Sequence, residues 1–488
     1  MLAYFRSCNK CQSGKLILIF YLFLSFFSIG CSKNEDREKP NILLIFVDDL
    51  GKEWISSYGA TDIKTPNIDQ LAATGLKFEN FYVNPQCTPS RLSLFTGQYP
   101  FRHGWVNHWD VPRWGGGAHY DWTQNPGLGR MMNQSGYATA AAGKWQVNDF
   151  RVQPDAMKQH GFDDWCMWTG FEATNPPSGK RYWDPYLHTK EGSKTYNGKF
   201  GEDVFTDFLI DFMKENKEQP MFLYYAMCLT HTPFTTTPAE LDVTEKYPKH
   251  KAMVRYTDYL VGKLVKALDE FGLRDNTIII FTTDNGTTKG IKGTLSGKEI
   301  NGGKSLLTEN GTCMPFIVNC PSKVPEGVVT DALSDITDIF PTCVQLSGGQ
   351  MPENYVFDGA STADLLLGKS KASKRDWIMS MGGGNNAALS ENGVENQYKF
   401  RDRVLRDKKY KLFVSTNRKP EKLFNLIEDP YETQNLIDSQ DSEVQDEIEK
   451  FWKVVETFPA QDNDPRYIPL SPQPWDVEVT VKSQQWKK

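Results

Sequence analysis

The chain has 488 residues, of which 39% are hydrophobic and 24% are charged, and it carries a net charge of −6. That length is enough for a large buried core and predicts two domains or subdomains. The mildly acidic balance offers no basic stripe to neutralise phosphates, so it argues against nucleic acid as a partner. An anionic ligand would therefore be recognised by local cations and not by the overall charge.

The first 30 residues have the pattern of an export signal, in which basic residues precede an apolar run over 16–29 that is too short to span a membrane. The run ends in Ser-Ile-Gly-Cys31, which resembles a bacterial lipobox and predicts lipidation of Cys31. A simple cleavable signal ending near Gly30 is the alternative. Residues 31–39 form a charged tether. We expect an exported lipoprotein of a Gram-negative bacterium, anchored by lipid in a membrane, in the periplasm, the outer membrane or at the cell surface.

The cysteines beyond the signal form no recognisable framework. After position 87 an odd number remains without CxxC spacing, which fits neither a disulfide scaffold nor a zinc site. We expect most of them to be buried thiols. One disulfide, formed after export, is the alternative. These residues are Cys166, Cys228, Cys313, Cys320 and Cys343.

The continuous apolar run 41–47 predicts a central parallel strand that is buried on both faces. It stops at Asp48 and Asp49, and two carboxylates at a strand end are well placed to bind a cation. Capping of a turn is the alternative for these aspartates. A helix is predicted from Pro66, ended by Gly75, and a strand over 76–83 follows.

The stretch 85–97 predicts a helix that starts with Pro89 at its first position and places Cys87 at or just before the N-terminus. Free N–H groups and the positive end of the helix dipole favour an anion there. Arg91, one turn on, can aim its guanidinium at the same point. The alternative is that Cys87 is only a small buried hydrophobic residue.

An aromatic-rich loop is predicted over 104–122. Trp105, His108 and Arg113 flank a run of three glycines, and this mixture of rings and polar groups predicts a sugar subsite. A loop fixed to the surface by its tryptophans is the equally weighted alternative.

Further strands are predicted over 137–142, 221–227 and 276–283, and helices over 201–216 and 251–271. The segment 150–199 has little periodicity and is expected to cover the mouth of a site. The strand ends are followed by polar side chains: Lys144 and Gln146, then His231, then Asp284 and Asn285. Together with Asp48 and Asp49, the last two offer four oxygen ligands for a hard cation.

A strand over 316–319 is also predicted, within a first domain at 40–365 whose segment 335–341 resembles the last core helix of a known family. After it the pattern changes to short antiparallel strands and a helix over 442–458, which predicts a small α+β subdomain at 366–470 with a tail at 471–488. No internal repeats are present.

Several of these motifs, in the same order, resemble those of the type I sulfatases of the alkaline-phosphatase superfamily. The match begins with Cys87-x-Pro-Ser-Arg91 and the following Leu-Phe-Thr-Gly-Gln-Tyr-Pro-x-Arg-His-Gly, and it includes Asp48-Asp49, Gly-Lys144-Trp, Asp284-Asn285-Gly and Gly-Lys304. The resemblance implies an α/β fold: a mixed, mostly parallel sheet flanked by helices, with a smaller C-terminal α+β subdomain.

In the family, the cysteine is oxidised by a maturation enzyme to formylglycine (3-oxoalanine), and the aldehyde hydrate is the nucleophile. The resemblance implies this fate for Cys87. It also implies Ca²⁺ bound by Asp48, Asp49, the modified Cys87, Asp284 and Asn285. The implied catalytic residues are Cys87, Arg91, Lys144, His231 and Lys304.

Three positions depart from the family pattern. Gln146 replaces a histidine, and it can form hydrogen bonds but cannot gain or lose a proton. Asn310 and Cys313 replace the usual glycine and arginine, which affects either packing or the rim of the site.

The sequence therefore predicts a sulfatase that hydrolyses sulfate monoesters, with a sulfated polysaccharide or oligosaccharide as substrate. One alternative is a phosphodiesterase or phosphonate monoester hydrolase of the same superfamily. The other is a glycan-binding surface lipoprotein without turnover.

Overall fold

A ten-stranded mixed sheet organises the larger part of the chain. The structure is a computed structural model, and it describes residues 39–106, 120–172, 175–382, 387–390, 393–396, 398–466, 468 and 473–474. The sheet order is β12-β2-β11-β8-β1-β7-β3-β4-β5-β6. Its strands are β1 Asn41–Val47, β2 Leu76–Tyr82, β3 Ala138–Lys144, β4 Asp164–Trp168, β5 Tyr186–Thr189, β6 Gly192–Thr195, β7 Met221–Ala226, β8 Thr277–Thr283, β11 Cys313–Asn319 and β12 Val328–Asp335.

A smaller antiparallel sheet lies in the C-terminal part, in the order β13-β16-β17-β18. Two hairpins, β9-β10 and β14-β15, stand apart from both sheets. The remaining strands are β9 Lys292–Leu295, β10 Lys298–Asn301, β13 Ile378–Met381, β14 Ala387–Ser390, β15 Gly393–Asn396, β16 Arg403–Arg406, β17 Tyr410–Val414 and β18 Pro420–Asn425.

The helices surround these sheets. The α-helices are α1 Pro66–Ala73, α2 Cys87–Thr96, α3 Pro100–His103, α4 Leu128–Gln134, α5 Ala156–Gln159, α6 Gly201–Glu215, α7 Lys246–Glu270, α8 Glu309–Thr312, α9 Ile339–Leu346, α10 Ala363–Leu366 and α11 Ser442–Thr457, and the 3₁₀ turns are Lys52–Trp54, Ser56–Tyr58, Pro176–Gly179, Arg274–Asn276 and Ile336–Asp338. Across the described ranges, no helix is both long enough and apolar enough to cross a membrane.

The predicted central strand is confirmed: β1 spans residues 41–47, runs parallel to β7 and β8, and is buried along its whole length. Its alternate side chains enter two different cores because successive residues of a strand face opposite sides of the sheet. Leu44 and Phe46 pack on one face, and Leu43 and Ile45 on the other. A third core lies under the C-terminal sheet and includes Leu412 and Phe451.

The segment 150–199 departs from its prediction. It is not only a cover, because β4 adds to the main sheet parallel to β3, and β5 and β6 extend that edge as antiparallel strands. Strand β12 at the opposite edge was also missed. The fold class itself is the predicted one: a large, mostly parallel sheet with helices and a small C-terminal antiparallel sheet.

Candidate active site

Four strands bring the candidate site residues to one edge of the main sheet. β1, β3, β7 and β8 are parallel, so their carboxyl ends lie at the same edge, where ligands of open α/β sheets bind. Asp48 and Asp49 follow β1, Lys144 ends β3, and Asp284 and Asn285 follow β8. β2 ends at this edge too, since it is antiparallel to β11, which is antiparallel to β8. From β2 the chain continues into α2.

Cys87 is the first residue of α2, as a free and buried thiol with 3% of its surface exposed. The helix begins two residues before the predicted start at Pro89, because Gln86 with φ −142° already serves as the extended N-cap residue. A proline at the third position is compatible with the helix, since the first N–H groups have no intrahelical partner. Cys87 therefore lies at the helix N-terminus, with Arg91 one turn further on.

Arg91 bridges two strand ends. Its Nη2 lies 2.8 Å from Asp284 Oδ2 and 3.6 Å from Asp48 Oδ2, and the side chain is fully buried. Nη1 lies 3.4 Å from the hydroxyl of Tyr224 on β7. Nε is buried and has no hydrogen-bond partner. A buried guanidinium with one N–H unpaired suits a site that receives an anion.

Two lysines each pair with one of the adjacent aspartates. Lys144 Nζ lies 2.6 Å from Asp48 Oδ2, and Lys304 Nζ lies 2.6 Å and 2.8 Å from the two oxygens of Asp49. With Arg91, three cationic side chains thus face the three carboxylates of Asp48, Asp49 and Asp284. Each aspartate thus lies beside a positive charge, so adjacent buried aspartates are tolerated here.

The oxygen-rich side of the cluster fits a hard cation. Asp48 Oδ1 and Asn285 Oδ1 are buried without a hydrogen-bond partner, and such atoms are rare in folded proteins unless something else binds them. Asp48, Asp49 and His231 each offer an atom within 4.8 Å of the others. Asn285 Nδ2 donates to Asp49 Oδ1 at 2.7 Å, which turns the amide oxygen away from that carboxylate.

Asp284 is placed differently from the other predicted ligands. Its Oδ2 accepts from Arg91 at 2.8 Å and its Oδ1 accepts from the backbone N–H of Asp49 at 3.1 Å. Both oxygens are therefore already engaged, and the group of three that could hold an ion contains His231 instead.

The carboxylates differ in charge state. Burial would raise the pKa of Asp48, but the positive charges led by Lys144 lower it well below its usual range. Burial and the neighbouring Asp48 raise the pKa of Asp284 to about 7, against the opposing effect of Arg91. A divalent cation at this position would favour the ionised form of Asp284.

His231 follows β7 by five residues and lies beside Asp49, with 3.8 Å between Nε2 and Asp49 Oδ2. Nδ1 lies 2.6 Å from the carbonyl of Thr232, so Nδ1 carries the proton and Nε2 faces the aspartate. Burial and the ammonium of Lys304 lower the pKa of His231 to about 3. With this pKa the imidazole of His231 is neutral at neutral pH.

Lys304 shows the opposite behaviour. Burial would lower the pKa of its ammonium, but Asp49 and the other nearby negative charges raise it above the ordinary value. Lys304 is therefore a charged donor beside a neutral imidazole.

Gln146 lies two residues after Lys144, in a left-handed backbone conformation with φ 70°. Its N–H donates to Thr169 O at 2.7 Å, and its side-chain oxygen is buried without a partner. Backbone strain of this kind concentrates at functional sites.

The predicted sugar-binding loop is only partly described. His108 and Arg113 lie outside the described residues, as does Cys31. Trp105 is fully buried in the main core and packs edge-on against Tyr120 with 6.4 Å between ring centres. Its indole has no face open to a saccharide, so the prediction of Trp105 as a substrate contact is corrected to a core residue.

Two departures from the family pattern contribute to packing. Cys313 is buried at the start of β11, and its sulfur accepts from Lys52 Nζ at 3.0 Å. Asn310 donates through Nδ2 to Asn301 O at 2.7 Å, and its Oδ1 accepts from the Thr308 hydroxyl at 2.6 Å.

Sequence reasoning missed two contacts of the aspartates. The Thr288 hydroxyl donates to Asp49 Oδ2 at 2.6 Å. The backbone N–H of Thr230 donates to Asp48 O at 2.6 Å. No sequence signal marks either threonine, because each acts through a contact between segments far apart in the chain.

The chain is similar to known sulfatases over most of its length. A family model described as Sulfatase matches residues 40–349, and one described as N-sulphoglucosamine sulphohydrolase, C-terminal, matches residues 303–457. The chain is 30% identical over 376 residues to N-acetylgalactosamine-6-sulfatase of Canis lupus familiaris, which covers 71% of this chain and 70% of that protein. It is 29% identical over 508 residues to N-acetylgalactosamine-6-O-sulfatase of Bacteroides thetaiotaomicron, covering 88% and 96%.

Solved structures share the fold. Ps i-CgsB in complex with k-i-k-neocarrahexaose has a TM-score of 0.70 at 25% identity, covering 88% of this chain and 94% of that chain. The phosphonate monoester hydrolase of Agrobacterium radiobacter has a TM-score of 0.62 at 19% identity, covering 86% and 95%, which shows the fold alone.

The fold and the clustered charges define a hydrolase of the alkaline-phosphatase-like class. The chain belongs to the sulfatase family, and it is a sulfuric ester hydrolase.

Proposed function

We propose that this sulfatase hydrolyses sulfate monoesters of a polysaccharide or oligosaccharide at Cys87, after Cys87 has been oxidised to formylglycine, with Ca²⁺ as cofactor. The observation that carries the proposal is the convergence of Cys87 at a helix N-terminus with Arg91, Lys144 and Lys304 at one sheet edge. The net reaction joins a sulfate monoester and water to give an alcohol and hydrogen sulfate.

Asp48, Asp49, Asp284, Asn285 and the modified residue 87 are the proposed Ca²⁺ ligands, with His231 as a further candidate because it lies within the same group of atoms. The unpartnered oxygens of Asp48 and Asn285 support this assignment. When bound, Ca²⁺ would neutralise charge on the sulfate oxygens and orient sulfur.

Residue 87 would be matured by a dedicated enzyme, in a two-electron oxidation at Cβ that replaces sulfur by oxygen and requires an external electron acceptor. As its hydrate, formylglycine would supply one hydroxyl as the oxygen nucleophile for sulfur. Loss of the proton from the second hydroxyl would then re-form the aldehyde, break the bond between Cβ and the first oxygen, and release sulfate. The helix N-terminus contributes N–H groups that stabilise the developing negative charge.

Arg91 and Lys144 are the proposed sulfate-binding cations. Both are buried, and the guanidinium already spans the ends of β1 and β8 through Asp48 and Asp284. Binding of Ca²⁺ to the aspartates would free their lysine partners for the sulfate oxygens. Fixed cations in a dry site stabilise charge more strongly than they do in water.

His231 and Lys304 are the two groups proposed to assist the leaving oxygen. Lys304 is charged, whereas His231 is neutral. Lys304 is therefore the better proton donor in this arrangement. With its proton on Nδ1, the neutral His231 presents an unprotonated Nε2, which can accept a hydrogen bond or bind the cation.

A sulfated saccharide is the proposed substrate class. The family membership, the similarity to N-acetylgalactosamine-6-sulfatases and the similar structure in complex with a neocarrahexaose support it. Export as a lipoprotein through Cys31 is proposed from the N-terminal sequence alone.

The test is a parallel assay of the matured enzyme on an aryl sulfate, an aryl phosphate and an aryl phosphonate monoester, followed by sulfated saccharides with 6-sulfated N-acetylgalactosamine and carrageenan oligosaccharides in the panel. We expect sulfate release to exceed phosphate ester hydrolysis, and Cys87→Ala to abolish it. Faster turnover of the phosphonate monoester would favour the sister activity. Saccharide binding without any release would favour the non-catalytic lipoprotein.

A further inference from the structure

The segment 227–233, which we call the His231 loop, leaves the carboxyl end of β7 and passes beside the acidic cluster. One side of it is attached to the chain that carries the proposed metal ligands. Asp48 N donates to Leu229 O at 2.8 Å, and Thr230 N donates to Asp48 O at 2.6 Å. The Thr230 hydroxyl donates to Asp49 O at 3.1 Å. The loop and the metal site thus form one hydrogen-bonded unit.

Glu202, in the first turn of α6, holds the other side of the loop. Its fully buried carboxylate accepts through Oε1 from Cys228 N at 2.7 Å and from Leu229 N at 3.0 Å. Its Oε2 accepts from the hydroxyl of Tyr225 at 2.6 Å. Two consecutive N–H groups that donate to one carboxyl oxygen fix the orientation of that backbone, because both must point at the same acceptor. Burial raises the pKa of Glu202 to about 7.

Tyr182 contacts the same loop at two of the loop's backbone carbonyls. Its hydroxyl lies 2.7 Å from Cys228 O and 2.6 Å from His231 O, so one buried proton is shared between the two carbonyls. Arg181 Nη2 donates to Thr232 O, the carbonyl that also accepts from His231 Nδ1. The backbone on both sides of His231 is therefore held by groups outside the loop, and the imidazole is held through Thr232 O, to which Arg181 also donates.

Gly201 allows the segments that carry Glu202 and Tyr182 to approach each other closely. Its N–H donates to Tyr182 O at 2.7 Å, and a Cβ at position 201 would lie 2.0 Å from Arg181 O. A side chain would push the start of α6 away from the strand-like segment that carries Tyr182. Glu202 and Tyr182 thus approach the loop as a pair.

We infer that Tyr182 and Glu202 are positioning residues for His231, and that they act by fixing the loop backbone so that Nε2 faces the reacting centre. Neither residue is placed to contact the substrate itself. The inference rests on the proposed function, because it takes His231 to be a residue of the proposed active site. Displacement of a catalytic group by about 1 Å can cost roughly 10²-fold in rate.

Tyr182→Phe removes one buried hydroxyl, and Tyr225→Phe is the matched control. Tyr225 donates to the same Glu202 carboxylate through the oxygen that does not bind the loop. Both variants lose a buried tyrosine hydroxyl, so a purely structural role predicts similar effects on activity and unfolding. We expect Tyr182→Phe to lower kcat on an alkyl sulfate roughly 10-fold or more, and Tyr225→Phe to lower it by less than about threefold.

A double-mutant cycle with His231→Ala separates positioning from general stability. If Tyr182 acts through His231, Tyr182→Phe loses its effect on kcat once the imidazole is absent, because coupled residues are not additive. If Tyr182→Phe lowered kcat by the same factor in the wild type and in the His231→Ala variant, the inference would be overturned. Glu202→Gln provides a second variant of the same shape, and it should show the same coupling, since one amide oxygen can still accept while the charge is lost.

The assay also separates this inference from the proposed function. If matured wild-type enzyme releases no sulfate from any ester, the proposed function fails. If the wild type is active and Tyr182→Phe retains full kcat on the alkyl sulfate, only the positioning role fails.

Discussion

Each of the adjacent aspartates is held by a lysine, and this pairing sets the chemistry of the site at the level of single residues. Lys144 binds one oxygen of Asp48 and leaves the other without a partner, while Lys304 binds both oxygens of Asp49. A cation bound at the carboxylates would compete with the two ammonium groups. The lysines would then be released towards the substrate anion, so that cofactor loading and sulfate binding reinforce each other.

Metal content and activity should therefore be lost together. Asp49→Asn removes a charge that the cation and Lys304 share, and we expect stoichiometric calcium to disappear along with sulfate release. Elemental analysis of the purified protein and the rate on an aryl sulfate measure the two losses. The exposed Asp242→Asn is the control and should keep both. Full activity in chelator-treated, metal-free enzyme would contradict the assignment.

The leaving-group roles of His231 and Lys304 can be separated by substrate. An alkyl alcohol leaves poorly without a proton, whereas a phenolate needs little help. Lys304→Ala should cost roughly 10²–10⁴ in rate on an alkyl sulfate and clearly less on an aryl sulfate.

His231→Ala should cost less than Lys304→Ala on the alkyl sulfate, because the neutral imidazole presents an unprotonated Nε2 and has no proton to give there. Gln146→Ala is the comparison variant, because the glutamine side chain cannot transfer a proton. Equal losses on both esters would reduce His231 and Lys304 to sulfate-positioning residues.

At the scale of elements, a buried ionic network joins the C-terminal sheet to the segment that follows Lys304. Lys411 on β17 is fully buried and contacts Glu309 Oε1 at 2.9 Å and Glu432 Oε1 at 2.8 Å. Arg406 on β16 lies 3.2 Å from Glu309 Oε2. The short helix α8, which starts at Glu309, is thus fixed by the smaller sheet, and this sheet supports the catalytic half of the molecule.

Lys411→Met should destabilise the protein by about 3–5 kcal/mol, because it leaves the buried carboxylate of Glu432 without a cation and Glu309 with Arg406 alone. Lys408→Met is the matched control, since the Lys408–Asp331 pair is exposed at 59% and 72% and should be worth about 1 kcal/mol or less. Denaturant unfolding curves measure both values. Similar losses in the two variants would show that burial does not decide the strength of this network.

The same network has a defined pH dependence. Burial would raise the pKa of Glu309, but Lys411 and Arg406 lower it to about 2, below the ordinary 4.5. Its stabilising contribution is therefore complete above about pH 4.5 and is lost as the pH falls towards 2. The difference in unfolding free energy between wild type and Lys411→Met should shrink across that window. A constant difference would contradict the assigned ionisation of Glu309.

The position of a strand in the sheet decides whether its sequence predicts it. β1 and β8, two of the buried parallel strands, contain continuous apolar runs because both faces of the sheet are covered, so their boundaries could be predicted. The edge strands were not: β6 is half exposed and β12 begins with exposed residues, and neither alternates cleanly. Edge strands take their conformation from the neighbouring strand, which a local pattern does not reveal.

At the scale of the whole molecule, the site joins segments that are far apart in sequence, and that limits what the sequence can predict. Asp48, Cys87 and Asp284 were identified from motifs, and their shared sheet edge follows from parallel topology. The pairing of Lys304 with Asp49, 255 positions away, and the support of the His231 loop by Glu202 depend on the three-dimensional packing. The depression of the His231 pKa likewise requires its burial beside Lys304 to be known.

The most direct test of the central claim is mass spectrometry of the peptide that carries residue 87, taken from enzyme preparations whose rate of sulfate release has been measured. Co-expression with a maturation system at different levels gives preparations with different fractions of aldehyde at this position. We predict that the rate on a sulfated saccharide rises in proportion to the fraction in which the thiol has been replaced by the aldehyde. Full sulfate release by protein that retains only cysteine at residue 87 would contradict the account.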